Sequence, residues 1–308
     1  MSTTLLLAQL LNGLQYGVLL FLLAAGLTLV FGIMSFVNLA HGSLYMLGAY
    51  AAAVVGGQTG SFLLAVLAAI TTGALVGFVL ERTAVARLYR RDHLDHVLAT
   101  FGLVLFFNEL VRIIWGPQPV FISLPESLSG TVDLFGFTYP TYRFLIIAVG
   151  LVVAVGSQWL IHRTRVGMLI RAGSVNPEMV GALGVNIRRL NAMLFALGAA
   201  LAALAGAMAG PILSVQSGMG EPVLITTLVV IVIGGIGSVK GALYASIIVG
   251  MSDTLGRTFL PMLLRAVADR EIANAAGPAL ASMLVYMLMA VILAFRPQGL
   301  FPAHKGAR

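Results

Sequence analysis

A chain of 308 residues with 59% hydrophobic and 9% charged side chains is not a water-soluble globule. Soluble domains carry about 25% charged residues, and a surface this apolar would self-associate in water. The absence of cysteine excludes disulfides, thiolate metal sites and cysteine nucleophiles. The formal charge of +7, mostly arginine, reads first as a membrane-topology signal and not as a nucleic-acid footprint.

Apolar runs of about 20 residues predict membrane-spanning helices. Barrel strands would alternate apolar and polar residues, whereas AQLLNGLQYGVLLFLLAAGLTLVFGI is continuously apolar. The runs fall at 8–31, 38–57, 61–80, 97–115, 142–161, 191–213, 223–239, 241–260 and 279–295. The opening MSTTLLLAQLL has no basic leader and no small-residue cleavage site, so it is expected to begin the first span. The expected fold class is all-α, a polytopic transmembrane helix bundle of about 8–9 spans, with residues 1–308 forming one membrane domain. GGIGSVKG interrupts 223–260, which leaves nine spans or eight with a re-entrant segment at 223–240.

Three polar segments are basic: Arg82, Arg87, Arg90 and Arg91; then Arg163, Arg165, Arg171, Arg188 and Arg189; then Arg296, Lys305 and Arg308. The loop GPQPVFISLPESLSGTVDLFGFTYP has no Lys or Arg and carries Glu126 and Asp133. The positive-inside bias puts the basic segments in the cytoplasm and this loop outside. Counting back puts the N-terminus outside. Residues 252–278 carry mixed charge, and a short surface helix is expected there, with Asp253–Arg257 and Arg265–Asp269 at pairing distance.

Residues 38–50 read NLAHGSLYMLGAY. On a helix, positions 38, 41, 45, 48 and 52 share one face, which gathers Asn38, His41 and Tyr45 beside the small residues Gly42 and Gly48. Small residues admit a close neighbour, and polar groups in hydrocarbon demand a partner or a cavity. Two readings stay open: interhelical hydrogen-bonding glue, or a face bordering a translocation pathway. Glu109 and Arg112 in LFFNELVRIIWG are three apart and expected to pair near the outer end of their span. Glu221, just before Pro222, is expected to open a helix at the outer surface, where its charge suits the dipole. Gly234, Gly235 and Gly237 make either a tight turn between helices or a break lining a pathway. GGIGSVKG is no phosphate-binding loop, which needs Gly-Lys-Ser/Thr. His93 and His96 are read as solvated, and no metal or cofactor is expected.

SVNPEMVGALGVN at 174–186 carries helix start and stop signals. Ser174 or Asn176 can cap, Pro177 suits the first helical position, and Glu178 favours the positive dipole end. Met179, Val180, Leu183 and Val185 form an apolar surface, and Gly184 can end the helix. Alone, about two turns would be marginal. The segment rests either on the membrane surface or in the groove of a cytoplasmic partner.

The blocks VNLAHGSLYMLGAY, RAGSVNPEMVGALGVNIRRL, IGGIGSVKGAL and RPQGLF, together with ERTAVARLYRR and LATFGLVLFFNEL, give the chain a specific likeness. It resembles permease subunits of the branched-chain amino acid ABC transporter family, LivH type, over nearly its whole length. The resemblance implies a multi-pass protein of the bacterial inner membrane. Its implied partners are a second permease subunit (a different, related chain), two cytoplasmic ATPase subunits and a periplasmic substrate-binding protein. It implies that Ser174, Asn176, Pro177, Glu178, Met179, Leu183 and Gly184 belong to a coupling helix that receives the ATPase movement. It implies a solute path between subunits, near Asn38, His41, Gly42, Tyr45, Gly234, Gly235 and Gly237. Ser43 stands where the family carries an acidic residue, which leaves the cargo open among branched-chain amino acids, amides, urea and aromatic acids.

The competing reading is an ion-coupled secondary transporter, for which Glu109, Glu221 and Asp253 offer few dedicated carboxylates. A membrane enzyme comes third, because His41 has no nearby catalytic partner in the sequence.

Overall fold

The computed structural model describes residues 3–34, 36, 38–89, 91–134, 137–266 and 269–302. Arg90, Lys305 and Arg308 of the basic segments lie outside the described residues. The chain is helical almost throughout, and all nine apolar runs become helices. In order these are α1 (Thr3–Met34), α2 (His41–Thr59), α3 (Phe62–Leu80), α4 (Ala86–Leu88) and α5 (His93–Trp115). After these come α6 (Glu126–Ser129), α7 (Thr141–Arg163), α8 (Arg165–Val175) and α9 (Pro177–Ala182). The chain closes with α10 (Ile187–Ala209), α11 (Gly220–Gly234), α12 (Val239–Leu264) and α13 (Arg270–Phe295). A π turn at Glu81–Val85 joins α3 to α4. One small hairpin interrupts the all-α pattern: β1 (Thr131–Leu134) pairs antiparallel with β2 (Phe137–Pro140), with Val132 opposite Tyr139.

Among the described residues, seven helices are long and apolar enough to cross a bilayer. The other two runs behave differently. α11 has 15 residues, about 22 Å of helix against a hydrocarbon core of about 30 Å. α2 begins deep inside the bundle. Its first residue, His41, bonds the backbone of Leu23, which lies eleven residues before the end of α1, about 16 Å of helix. The start of α2 therefore lies well back along α1 from the end of that helix.

α1 and α10 form the centre and are mostly buried; α3, α5, α7, α12 and α13 surround them with largely exposed outer faces. Small residues decide how close the helices come. Gly26 and Gly198 bring α1 onto α10, with a Cβ on Gly198 reaching 2.8 Å from the Gly26 carbonyl. The Ala- and Gly-rich sequence GAALAALAGAMA of α10 also admits α2 and α3. Without such contacts, lipid tails would solvate apolar helices as well as other helices do.

The two ends of the bundle carry different charge. At one end the end of α1, the end of α7, α8, the α11–α12 turn and the segment after α13 meet. Arg171, Lys240 and Arg296 lie there. At the other end, the Tyr139 hydroxyl and the Arg143 guanidinium both donate to Asn12 Oδ1. The positive-inside rule makes the first end cytoplasmic.

The region 252–278 departs from expectation. No separate surface helix forms among its described residues: α12 runs to Leu264 and α13 starts at Arg270. Asp253 and Arg257 pair at 2.8 Å as expected. Arg265 instead donates to Asn274 Oδ1 at 2.8 Å, because Asp269 lies beyond the end of α12, off its face. The end of α12 lies at the outer end, since α12 runs antiparallel to α1, with Gly17 against Ser246 and Gly13 against Met251.

Candidate functional site

The starts of α2 and α11 meet inside the membrane. The Gly42 and Gly220 backbones touch, and a Cβ added to Gly42 would stand 2.7 Å from the Gly220 carbonyl. Both helices thus point positive dipole ends at one region. Breaks of this type survive in a bilayer only when protein or water covers the exposed backbone. Here protein supplies much of the cover: Asn38 is 2% exposed, His41 1% and Tyr45 2%.

Sequence reasoning put Asn38 on the α2 face. It precedes the helix, and its carbonyl accepts from His41 N at 3.3 Å. Among the described residues, both amide atoms of the Asn38 side chain lack a partner, as does His41 Nε2. A buried, unsatisfied polar group costs about 1–3 kcal/mol. Tyr45 lies one turn along, and its carbonyl packs against Gly206 of α10.

Above this junction lies a polar recess on the flank of α5. Asn108 Nδ2 donates to Glu221 Oε1 at 2.6 Å, and Ser217 Oγ donates to the Asn108 carbonyl at 3.0 Å. Glu221 is therefore not at the outer surface. It sits in the first turn of α11 beside the buried start of α2, where it complements the dipole. The displacement has a plain cause: the chain dips inward between Ala209 and Gly220. Val215 pairs with Val120 through two backbone bonds of 2.8 and 2.9 Å and holds that dip in place. A cavity of about 430 Å³ opens here, lined by Asn108, Glu109, Arg112, Gln216, Ser217 and Gly218 among others. Glu109 and Arg112 pair at 2.9 Å as expected, yet their side chains are 63% and 53% exposed. An exposed ion pair on a membrane helix is costly against lipid and is placed against water or another subunit.

The glycine segment is a tight turn between two helices, α11 and α12. Gly234 ends α11, packed against Gly241, and Gly235 and Gly237 take φ of 103° and 80°. Sequence reasoning noted RPQGLF without joining it to this turn. Leu300 N donates to the Ile233 carbonyl at 2.8 Å and Phe301 N to the Gly234 carbonyl at 2.9 Å. Those carbonyls are left free where α11 ends, and the strap after α13 satisfies them.

At the cytoplasmic end, α9 stands where the helix signals put it. Asn176 Oδ1 accepts from Met179 N at 2.9 Å, Pro177 opens the helix, Glu178 lies in its first turn, and Gly184 with φ 87° ends it. Ser174 is not the cap; it belongs to α8 and donates to the Arg171 carbonyl at 2.9 Å. Val180 is buried, whereas Met179 is 59% and Leu183 77% exposed. The helix anchors one side chain and presents two to the cytoplasm.

Sequence reasoning missed two groups. Glu81, read as part of a basic loop, is 1% exposed in the π turn, where Oε1 accepts from the Tyr89 hydroxyl at 3.0 Å and Oε2 has no partner among the described residues. His96, read as solvated, is 5% exposed, lies 2.8 Å from the Leu88 carbonyl and packs on Phe36. The signal was the uninterrupted helical register from α3 into ERTAVAR, which places Glu81 on the buried face of Ala69, Gly73 and Gly77.

Comparison with known proteins matches residues 9–293 to the model for the branched-chain amino acid transport system / permease component family. The chain belongs to this family. The permease is 30% identical to the high-affinity branched-chain amino acid transport system permease BraD of Pseudomonas aeruginosa, over 96% of this chain and 95% of that one. It is 29% identical to LivH of Escherichia coli K12, over 82% and 87%. It is 28% identical to the ribose import permease RbsC of the same organism, over 80% and 78%. A solved metal-chelate type ABC transporter, in an inward-facing conformation, aligns at 18% identity and a TM-score of 0.48, over 94% of this chain and 85% of that one. The permease is a multi-pass inner-membrane protein, and these relatives are transport permeases, not enzymes.

Proposed function

We propose that this permease is a single membrane domain of an ABC importer for branched-chain amino acids or a related small polar solute, driven by separate cytoplasmic ATPases. A binding protein delivers the solute outside, and a second permease subunit completes the path. The observation that carries this reading is the exposed Glu109–Arg112 pair on the flank of α5, beside the polar recess. Paired opposite charges suit a zwitterionic solute, and the facing subunit keeps them from lipid. The solute path follows this recess toward the junction of α2 and α11, where Asn38 and His41 hold unpartnered polar atoms. α9 is the coupling helix: Met179 and Leu183 are exposed apolar side chains on a short helix, a pattern suited to a partner's groove. The ribose permease among the relatives widens the cargo class to small polar solutes.

Uptake into vesicles tests the reading. With ATPase subunits and binding protein present, accumulation is expected to require ATP and to survive collapse of ion gradients. Uphill uptake by this chain alone, or uptake abolished by an ionophore with ATP intact, overturns it in favour of an ion-coupled carrier.

A further inference from the structure

A cavity of about 940 Å³ lies at the cytoplasmic end, away from the α5 recess. Arg171, Lys240 and Arg296 line it, and among the described residues no Asp or Glu does. The ion pairs among the described residues, Glu109–Arg112 and Asp253–Arg257, lie elsewhere. Three cations thus share one concave space with no carboxylate to offset them, and their field favours an anion. Two are already positioned. The Arg171 guanidinium donates to the Ile161 carbonyl, and Lys240 Nζ sits 5.8 Å from the Phe301 ring centre. The start of α12, capped by Ser238, adds its positive dipole end to the same wall.

A separate observation points to a ligand. Thr28 lines the cavity at 1% exposure, and its hydroxyl has no partner among the described residues. A helical threonine can bond the carbonyl one turn back; this one leaves a buried hydroxyl in a residue of the cavity wall. Apolar side chains, Leu29, Phe31 and Ile170 among them, cover other parts of the wall.

We infer that this cavity binds a phosphate-bearing anion, held by Arg171, Lys240 and Arg296 with the Thr28 hydroxyl. A phosphate offers several strong acceptor oxygens to a donor set that has no acidic member. The source is either an anionic lipid headgroup, with its chains on the apolar wall, or soluble phosphate. Ser174 and Val175 belong to the same wall and directly precede α9. An occupied cavity therefore braces the segment that positions α9. The site stands independently of the cargo and of the α5 recess.

The purified full chain is titrated with dioctanoyl phosphatidylglycerol, dioctanoyl phosphatidylcholine and inorganic phosphate. Melting temperature and native mass spectrometry are read together. Saturable one-to-one binding of phosphatidylglycerol is expected, weakened about tenfold or more by Lys240→Gln with Arg296→Gln, and also weakened by Thr28→Val. Lys240 and Arg296 are exposed, so the unliganded melting temperature should hold; Lys240→Gln alone serves if the double variant melts lower. Protection by phosphatidylglycerol alone assigns a lipid headgroup, and equal protection by inorganic phosphate assigns a soluble source. Binding of neither, binding unchanged by the variants, or phosphatidylcholine binding as tightly as phosphatidylglycerol overturns the inference.

Discussion

Gly42 and Gly220 touch backbone to backbone, and through that contact two helix starts share one place inside the membrane. A methyl group on Gly42 would stand 2.7 Å from the Gly220 carbonyl, and one on Gly220 would overlap Gly42. Gly42→Ala is expected to destabilise by about 1–3 kcal/mol through overpacking and to reduce uptake by forcing α2 from α11. Gly57→Ala is the control, since nothing lies within 4 Å of its added Cβ. It should leave the melting temperature unchanged or raise it by up to about 1 kcal/mol in stability. Equal losses at both positions would contradict the close approach.

Asn38 separates packing from transport. Its side chain is buried with neither amide atom partnered. Asn38→Leu removes that penalty and should stabilise the protein by about 1–3 kcal/mol. Uptake should nonetheless fall if these atoms border the solute path. A variant both more stable and fully active would leave Asn38 no role in transport.

The coupling assignment predicts a split between two sets of side chains. Met179→Glu and Leu183→Glu change exposed positions, so melting should be nearly unaffected. ATP hydrolysis by the assembled complex should then no longer drive uptake. Val180→Asp buries a charge at a 6% exposed site and should destabilise the chain itself. Normal coupled transport with both glutamates in place would show that α9 does not dock the ATPase.

Glu109 and Arg112 are more than half exposed, so their pairing contributes at most about 1 kcal/mol to stability. Glu109→Gln and Arg112→Gln should each raise the KM for uptake while the melting temperature stays put. An unchanged KM in both variants would remove the recess from the solute path.

The strap after α13 is a structural clamp. Leu300 and Phe301 donate to the carbonyls of Ile233 and Gly234, and Gly299 takes φ 79° against Gly235. Gly299→Val combines backbone strain with a clash and should lower the melting temperature more than a change at Gly57. A neutral result would mean that the strap is dispensable.

Sequence alone determined the class, the helix positions and the sidedness. A chain with 9% charged residues and runs of about 20 apolar ones must satisfy its backbone in lipid, and helices do so locally. The α9 signals were equally legible, because Asn176, Pro177, Glu178 and Gly184 act within one short segment. Depth was not legible. Hydropathy reports that a segment is apolar, not where along the membrane it begins, so α2 read as an ordinary span and α11 as either a span or a re-entrant segment. Only packing decided that Asn38 precedes its helix, that Glu221 lies beside Asn108, and that Glu81 is buried. The meeting of RPQGLF with GGIG and the gathering of Arg171, Lys240 and Arg296 around one cavity also depend on contacts distant in sequence. Periodicity along a helix fixes which residues share a face; which face meets which neighbour is set by close approach of small residues across helices.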